Sequence, residues 1–325
     1  MKLQQLRFLK AIADNQLNIT LAAEKLFTSQ PGVSKQIRLL EEELGTTLFQ
    51  RSGKHLTHIT PAGRQVLQRA ERILQEVDNI RAVANDFVDD ERGELRIATT
   101  HTQARYVLPR VLAGFRQRYP QVRLTLEQGT PPQIARMAAL GEVDLAIATE
   151  AMAQYRELLV LPAYRWRQGV VVPHDHPLAK DGTELSLQRI ADFPLVSYVH
   201  GFTGRQRLEN DFRQAGVEPH FTLSASDSDV IKTYVRLGLG VGIIAHMAYE
   251  IEKDSDLTYL DCRHLFSFNV TKVGFRRGAW LRGYTFDFLA RLAGHFDARR
   301  IDQAAHADSQ DEVDALFATL ELPEL

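Results

Sequence analysis

The chain has 325 residues, of which 44% are hydrophobic and 25% charged, with a formal net charge of −2, and this balance predicts folded domains with apolar cores and excludes a disordered or fibrous protein. Its single cysteine, Cys262, excludes an intrachain disulfide and a cysteine-rich zinc site, and we expect no metal and no cofactor. Because no apolar stretch reaches the roughly 18 residues of a membrane-spanning helix, and no signal-peptide pattern opens the chain, we expect a cytoplasmic protein.

Apolar residues at helical spacing predict three short helices at the start of the chain, the first of which carries Leu3, Leu6, Leu9, Ile12 and Ala13. Asn18 can cap the second helix and Ser29 the third, whose first turn tolerates Pro31. The third helix buries the face formed by Val33, Ile37 and Leu40. The other face of this helix presents hydrogen-bond donors suited to base edges and phosphates, namely Gln30, Ser34, Lys35 and Arg38, and Ser29 at the helix start belongs to the same predicted DNA-binding set. This pattern is typical of a DNA-recognition helix.

A basic hairpin is predicted after the third helix. Two short extended runs flank the turn at Ser52 and Gly53, and Arg51 and Lys54 would let this hairpin touch the DNA backbone or minor groove as a wing. The first 60 residues hold eight Lys or Arg against five Asp or Glu, a net charge of +3 that leaves −5 on the remainder. This asymmetry favours a polyanion-binding N-terminal module. The alternative is a small helical bundle with a solvated polar face.

A long helix is predicted from residue 61, after the capping hydroxyl of Thr60. Apolar residues recur along it with alternating spacings of four and three, at Val66, Ala70, Ile73, Val77, Ile80, Ala84 and Phe87. An isolated helix cannot bury such a seam. We therefore expect pairing with a second copy, which gives the two-fold dimer that a helix-turn-helix needs to read two half-sites. The alternative is that the seam packs on its own domain.

The N-terminal motifs resemble the signature of the LysR-type transcriptional regulators. The residues that carry the resemblance are 22–37, 40–41, 44–45, 48–49, 51, 56–57 and 60–63. Gly32 departs from the family, which more often has alanine there. The resemblance implies a winged helix-turn-helix over 1–60, a dimerising linker helix over 61–91, an effector-binding domain over 92–300 and a C-terminal tail over 301–325. It also implies homodimers that pair into homotetramers.

Beyond residue 92, strands and helices alternate, which predicts an α/β unit with largely parallel sheets. The predicted strands are 94–98, 122–127, 145–148, 168–172, 195–198, 221–225 and 241–245. The predicted helices are 104–119, 133–140, 187–192, 204–215, 227–237 and 283–296. The family resemblance implies an architecture like that of periplasmic solute-binding proteins, in which the chain crosses twice between two subdomains. Subdomain I would comprise 92–165 and 269–300, and subdomain II 166–268.

Hydroxyl and amide side chains follow several predicted strands, where the carboxyl ends of strands form a ligand crevice in open α/β sheets. They occur after the first strand, after the third strand and before the helix at 204. Each threonine alone could be a plain helix cap, but together they predict a site for a small anionic or zwitterionic ligand. The predicted ligand-binding residues are Thr100, Thr102, Gln103, Thr149, Glu150, Trp166 and Thr203.

Within the family, the chain resembles the activators of sulfur-assimilation and cysteine-biosynthesis genes. The likeness is carried by residues 1–7, 51–57, 97–106, 201–205 and 229–242. It implies acetylserine as inducer, sulfate or thiosulfate as competing anions, and promoter DNA and RNA polymerase as partners. One alternative is the paralogous regulator of genes for other sulfur sources. The other is an enzyme on the same scaffold with His101 or Glu150 as acid or base, but no catalytic motif supports it.

Overall fold

The computed structural model describes residues 1–53, 55–89, 91–180, 182 and 184–325. For Asn85, Phe87 and Val88 it describes the backbone only. Lys54, predicted to lie in the wing, therefore falls outside the described residues. The chain divides into two compact units, Met1–Val88 and Asp89–Leu325. Among the described residues, no helix is both long enough and apolar enough to cross a membrane.

The N-terminal unit begins with the three predicted helices, which are α1 (Leu3–Asp14), α2 (Ile19–Lys25) and α3 (Gln30–Leu44). Their apolar faces form one core, to which α1 and α3 contribute Leu6, Phe8, Leu9, Ile12, Val33, Ile37 and Leu40. Both predicted caps are confirmed. The Leu21 N–H donates to Asn18 Oδ1 at 3.0 Å, and the Gly32 N–H donates to Ser29 Oγ at 3.3 Å.

The predicted hairpin is also present, as the antiparallel strands β1 (Phe49–Ser52) and β2 (His55–Ile59). Helix α4 (Pro61–Val88) follows, and the hydroxyl of Thr60 caps it by accepting the Gly63 N–H at 2.8 Å. Gly63 is required where α4 passes the hairpin, because a Cβ at this position would lie 2.1 Å from the carbonyl oxygen of Leu48.

The apolar seam of α4 divides into two parts. Val66 and Ala70 pack into the core of the N-terminal unit, and Ala70 is only 1% exposed. Farther along, Ile73 is 39% and Ile80 67% exposed in the single chain. The first turns of α4 therefore pack on their own domain, whereas the later turns present apolar side chains that the chain itself does not cover.

The C-terminal unit contains two mixed sheets. Its strands, in chain order, are β3 (Gly93–Thr99), β4 (Val122–Gln128), β5 (Leu145–Ala148), β6 (Leu158–Trp166), β7 (Gln168–Pro173), β8 (Leu195–Tyr198), β9 (Phe221–Ala225), β10 (Val241–Ala245), β11 (Leu257–Leu260) and β12 (Asn269–Arg276). The first sheet has the order β4-β3-β5-β12-β6 and the second the order β11-β7-β10-β8-β9. The chain thus crosses from the first sheet to the second after β6 and returns at β12.

The helices of the C-terminal unit are α5 (His101–Tyr106), α6 (Leu108–Arg118), α7 (Pro131–Leu140), α8 (Pro177–Lys180), α9 (Leu187–Ala191), α10 (Arg205–Gln214), α11 (Ser228–Arg236), α12 (Gly283–Leu292), α13 (Ala298–Ala305) and α14 (Gln310–Phe317). The helix predicted over 104–119 is two helices, because the chain turns at Val107, the C-cap of α5. Helix α5 therefore begins at the strand end and carries Thr102 and Gln103 itself.

The prediction of largely parallel sheets was wrong for half of the strand pairings. Strands β3, β4 and β5 pair in parallel, as do β8, β9 and β10, but β12 is antiparallel to β5 and β6, and β7 is antiparallel to β10 and β11. The antiparallel pairings arise where the crossing strands enter each sheet. Strand β6 was not predicted, because nearly all of its residues are buried and it lacks the alternation that marks a half-exposed strand.

The last 25 residues cover the edge of the first sheet. Ile301 of α13 and Phe317 of α14 pack into its core. The Gln310 side chain donates to the carbonyl of Val160 at 2.8 Å and accepts the N–H of the same residue at 2.9 Å. The terminal residues continue this protection, since the Arg165 N–H donates to the Pro323 carbonyl at 2.9 Å. These contacts cover the unpaired edge of β6 and so hinder its pairing with a strand of another molecule.

Candidate functional site

The polar face predicted for α3 lies on the surface of the N-terminal unit. Gln30, Lys35 and Arg38 are exposed and Ser34 is half-buried. The Gln30 amide donates to Ser34 Oγ at 3.1 Å, so these two side chains hold each other in place. Within the part of the chain that the structure describes, Lys35 and Arg38 have no ion-pair partner and are free to meet phosphate. The hydroxyl of Ser29 is used as the helix cap.

An exposed aromatic side chain lies next to this face and was not singled out from the sequence. Phe27 is 98% exposed, and its backbone is left-handed, with φ of 50°. The sequence suggested only a turn there, because one aromatic between two short helices leaves no periodic signal. A large apolar group beside the donors of α3 can contact sugar or a thymine methyl group.

The wing is fastened to α3 by Glu41. One carboxylate oxygen accepts the N–H groups of Leu48 and Phe49 at 2.8 and 3.1 Å, and the other pairs with Arg51 at 3.1 Å. The side chain of Glu41 is only 11% exposed, whereas that of Arg51 is 26% exposed. Arg51 therefore has a structural partner inside the protein, and its contact with DNA stays a prediction.

The predicted ligand residues of the C-terminal unit lie near the strand ends that border the cleft between its two sheets, and of these Thr149 and Glu150 line the groove in that cleft. Thr100, Thr102 and Gln103 lie at the start of α5, directly after β3, and are almost fully buried. Thr203 is 3% exposed in the turn after β8 and has a φ of 42°. The segment after β5 meets this turn, because Glu150 Oε1 accepts the Gly204 N–H at 2.6 Å.

A buried network joins α5 to the crossing strands. The Gln103 amide and the Trp166 indole both donate to Thr271 Oγ1, at 3.2 and 3.0 Å, and the Tyr164 hydroxyl donates to Gln103 Oε1. Trp166 is completely buried, so its indole can hold Thr271 in place through this hydrogen bond. Burial also raises the pKa of the Tyr164 hydroxyl well above its ordinary range. This hydroxyl therefore acts only as a neutral donor.

Buried polar atoms without a hydrogen-bond partner are concentrated in this cleft. Among the described residues they include His101 Nδ1, Thr102 Oγ1, Glu150 Oε2, Gln168 Oε1 and Asn269 Nδ2. A buried polar group that stays unpaired costs about 1–3 kcal/mol, and folded proteins satisfy most of them. Next to them lies a groove of about 420 Å³, lined among others by Thr149, Glu150, Gly204, Asn269 and Lys272. The arrangement is suited to a small polar ligand that supplies the missing partners.

Glu150 is a carboxyl of the cleft whose pKa is strongly altered. Desolvation by burial raises the pKa of its carboxyl to about 7, and the backbone N–H groups of Gly204 and Thr203 oppose the shift only in part. Near neutral pH the carboxyl is therefore divided between its two protonation states. Ligand binding next to Glu150 is expected to select one of them.

Several cleft residues were not anticipated from the sequence. Tyr198 accepts the Ala245 N–H at 2.9 Å and shares a hydrogen bond of 2.6 Å with Ser228, while Gln168 donates to the Gly204 carbonyl at 3.2 Å. Asn269 and Thr271 come from the returning strand β12. The sequence placed the second crossing near Asn269 but gave no reason to aim its side chain at the cleft.

Charged groups clamp the two sheets together on another side of α5. The Tyr106 hydroxyl donates to Asp229 at 2.6 Å, and Arg105 pairs with Glu250 at 2.9 Å. Burial would raise the pKa of Asp229, but the Tyr106 hydrogen bond and the charges of Lys232 and Arg105 together lower it. Helix α5 thus carries ligand-cleft residues and clamp residues in fewer than two turns.

Lys232 extends the clamp into the interior. It is buried and donates to Asp254 at 2.7 Å and to the Ala248 carbonyl at 2.9 Å. Asp254 also pairs with Arg236 at 2.9 Å. The buried carboxylate therefore contacts two cations and is held ionised.

Comparison with known proteins gives two family matches. Residues 3–64 match the bacterial regulatory helix-turn-helix domain of the lysR family, and residues 89–297 match the LysR substrate binding domain. The chain is 45% identical over 322 residues to the HTH-type transcriptional regulator CysB of Haemophilus influenzae, covering 99% of both chains. It is 47% identical over 302 residues to the regulator SsuR of Burkholderia cenocepacia, covering 93% of this chain and 97% of that one.

Solved structures show the same architecture. The cofactor-binding domain of the Cbl transcriptional regulator is 43% identical and aligns with a TM-score of 0.64, covering 67% of this chain and 96% of that one. Full-length OxyR of Pseudomonas aeruginosa aligns with a TM-score of 0.64 over 97% of this chain and 95% of that one, and at 22% identity it supports the fold alone. The chain therefore belongs to the LysR family of bacterial helix-turn-helix regulators, and it is a DNA-binding transcriptional regulator with an effector-binding α/β unit and not an enzyme.

Proposed function

We propose that this regulator activates genes of sulfur assimilation and cysteine synthesis, with acetylserine as inducer and sulfate or thiosulfate as competing anions. The observation that carries the sensing part is the concentration of unpaired buried polar atoms in the cleft beside the strand ends. Their mixture of donors and acceptors is suited to a small polar acid. The resemblance to the sulfur regulators supplies the identity of the ligands, and the similarity to CysB, SsuR and Cbl supports it.

In this proposal the hydroxyls of Thr100, Thr102, Thr149 and Thr203 donate to the acid, Glu150 borders it, and Gln103 and Trp166 fix the surrounding network. The hydroxyl of Thr102 is a suitable member of this set, because the side chain is 99% buried and the Tyr198 hydroxyl, which lies near it, forms no well-aligned hydrogen bond with it. A charged ligand that accepts this hydrogen bond would gain about 1.5–3 kcal/mol.

On the DNA side, we assign base readout to Gln30 and Ser34, with Ser29 at the helix start, and phosphate contacts to Lys35 and Arg38. Arg51 and Lys54 are assigned to wing contacts. The exposed part of the α4 seam would pair two copies, dimers would associate into tetramers, and activation would proceed through RNA polymerase. The domain limits proposed are 1–60, 61–91, 92–300 and 301–325, with subdomain I formed by 92–165 and 269–300 and subdomain II by 166–268. The two sheets support the division between subdomains, although β6 of the first sheet extends one residue farther, to Trp166.

The alternative is regulation of genes for other sulfur sources. The identities to CysB, Cbl and SsuR lie between 44% and 47%, so sequence similarity favours neither set of genes. Both alternatives share the same fold, the same DNA-binding module and the same cleft. They differ in the promoters that the protein recognises.

The test is fluorescence anisotropy with promoter DNA of both gene sets, at fixed salt, with and without acetylserine and sulfate. We expect tight binding to cysteine-biosynthesis promoters, a change in affinity or stoichiometry with acetylserine, and reversal by sulfate. Preference for the other promoter set would establish the alternative. Equal binding to all DNA, with no effect of either ligand, would contradict the proposal.

A further inference from the structure

The carboxylate of Glu150 has one oxygen engaged and one available. Oε1 accepts the Gly204 N–H at 2.6 Å, which fixes the side chain against the turn before α10. Oε2 is buried and has no partner among the described residues. Glu150 also lines the groove of about 420 Å³. The cleft therefore offers a positioned hydrogen-bond acceptor to whatever enters the groove.

Asn269 supplies a donor next to this acceptor. The side chain is 98% buried at the start of β12, its Nδ2 has no partner in the described structure, and it lines the same groove. The amide lies close to Gly204, since a Cβ added there would come within 2.5 Å of Asn269 Oδ1. Since buried amides are nearly always paired, this donor indicates a ligand acceptor.

The charges of the groove complete the pattern. Arg207 and Lys272 line it, and neither has an ion-pair partner among the residues that the structure describes. The other acid of the groove, Asp211, is already engaged, because it accepts both the backbone N–H and the hydroxyl of Ser267 at 2.9 and 2.5 Å. The groove thus attracts a carboxylate through its cations, and among its described acids Glu150 still has an open acceptor, Oε2, for a donor on the same molecule.

Sulfate and an acylated amino acid meet this pattern differently. Sulfate carries acceptor oxygens only, so it can accept hydrogen bonds from Asn269 and the hydroxyls. It cannot donate a hydrogen bond to Glu150, and its negative charge is repelled by the ionised Glu150 carboxylate. An amino-acid-derived acid carries a carboxylate and an N–H on neighbouring atoms. It can therefore satisfy the donors and the acceptor together, and one N–H group decides between the two ligands.

We propose that Glu150 and Asn269 determine ligand specificity: Glu150 Oε2 accepts a hydrogen bond from the N–H of an amino-acid-derived acid, and Asn269 Nδ2 donates to an oxygen of the same ligand. This inference rests on the proposed function, in which acetylserine and sulfate share the cleft. It adds the physical basis on which the protein distinguishes an organic inducer from an inorganic competitor.

The test is calorimetric titration of the full chain with three probes: N-acetyl-L-serine, its ester analogue 2-acetoxy-3-hydroxypropanoate, and sodium sulfate. In the wild type, replacing the ligand N–H by an ester oxygen should weaken binding about tenfold or more. Glu150→Gln should weaken the binding of N-acetyl-L-serine by a similar factor. It should leave the affinity for the ester analogue unchanged and increase the affinity for sulfate. Glu142→Gln is the matched control, because Glu142 is exposed before β5 and its loss should change no affinity.

Equal wild-type affinity for the amide and the ester overturns this inference while leaving the proposed function standing. A parallel loss of N-acetyl-L-serine and sulfate in Glu150→Gln overturns it as well. If the wild type binds none of the three probes, the proposed function itself is refuted. Should Glu150→Gln not fold, the comparison of amide and ester on the wild type decides alone.

Discussion

The exposed part of the α4 seam allows a quantitative prediction about assembly. Ile80 is 67% exposed in the single chain. Fully burying an isoleucine side chain contributes roughly 1.5–3 kcal/mol, so covering the exposed two-thirds would contribute about 1–2 kcal/mol per copy and about 2–4 kcal/mol per dimer. Ile80→Asp removes this contribution and adds the cost of an unpaired carboxylate. We expect the dimer dissociation constant to rise by about 30-fold to 1000-fold or more.

Sedimentation equilibrium over a range of protein concentrations measures this constant. Gln68→Asp is the matched control, because Gln68 is exposed on α4 away from the seam and receives the same charge. Operator affinity should fall with the dimer in Ile80→Asp and stay unchanged in Gln68→Asp. An unchanged dissociation constant in Ile80→Asp would show that the later turns of α4 do not join two copies.

Four further predictions concern DNA binding, ligand binding, stability and pH. Ser34→Ala should lose discrimination between operator and random DNA by about 1–3 kcal/mol, whereas Arg51→Ala should weaken both alike, and gel shifts with both DNAs would expose an error if the two variants behaved identically. Thr102→Ala should weaken acetylserine and sulfate by about tenfold to a hundredfold in calorimetry, and wild-type affinities would place the sensor elsewhere. Lys232→Met leaves Asp254 buried without its closest cation and should lower the free energy of unfolding by about 3–5 kcal/mol. An unchanged midpoint in denaturant unfolding would refute this prediction. Because burial raises the pKa of Glu150 to about 7, its ionised fraction increases from about pH 6 to about pH 8. Affinity for N-acetyl-L-serine should therefore rise and that for sulfate fall over this range, and Glu150→Gln should flatten both trends.

Local signals accounted for much of the fold. The caps at Asn18 and Ser29, the hairpin and the strands β5, β8, β9 and β10 all follow from spacing and turn chemistry that involve only neighbours in sequence. Strand β6 could not be predicted in this way, because burial on both faces removes the alternation of apolar and polar residues that marks a half-exposed strand. Parallel and antiparallel pairing also depend on where the chain crosses between sheets, which no local pattern specifies.

The same limit applies to the site. Threonines after strand ends can be recognised locally, and Thr100, Thr102, Thr149 and Thr203 were. Asn269 and Thr271 could not be, because they reach the cleft only through the return of β12 beside β6, more than 100 residues after Gln103 in the chain. Gln168 could not be either, because its partner Gly204 lies on another element, 36 residues farther along the chain. Phe27 was missed for a different reason, since its exposure becomes informative only once the neighbouring helices are seen to leave it uncovered.

The position of α5 links sensing to the arrangement of the two sheets. Thr102 and Gln103 face the cleft, and Arg105 and Tyr106, two and three residues farther on, bind Glu250 and Asp229 of the second sheet's helices and turns. A six-residue helix moves as one body, so a ligand that shifts its first turn also shifts the clamp at its last turn. A ligand changes the balance between two spacings of the sheets only by binding one of them more tightly. The contacts of Arg105 with Glu250 and of Tyr106 with Asp229 are partly exposed, so the cost of altering them is modest. The few hydrogen bonds that a small acid can form in the cleft are then enough to change the spacing.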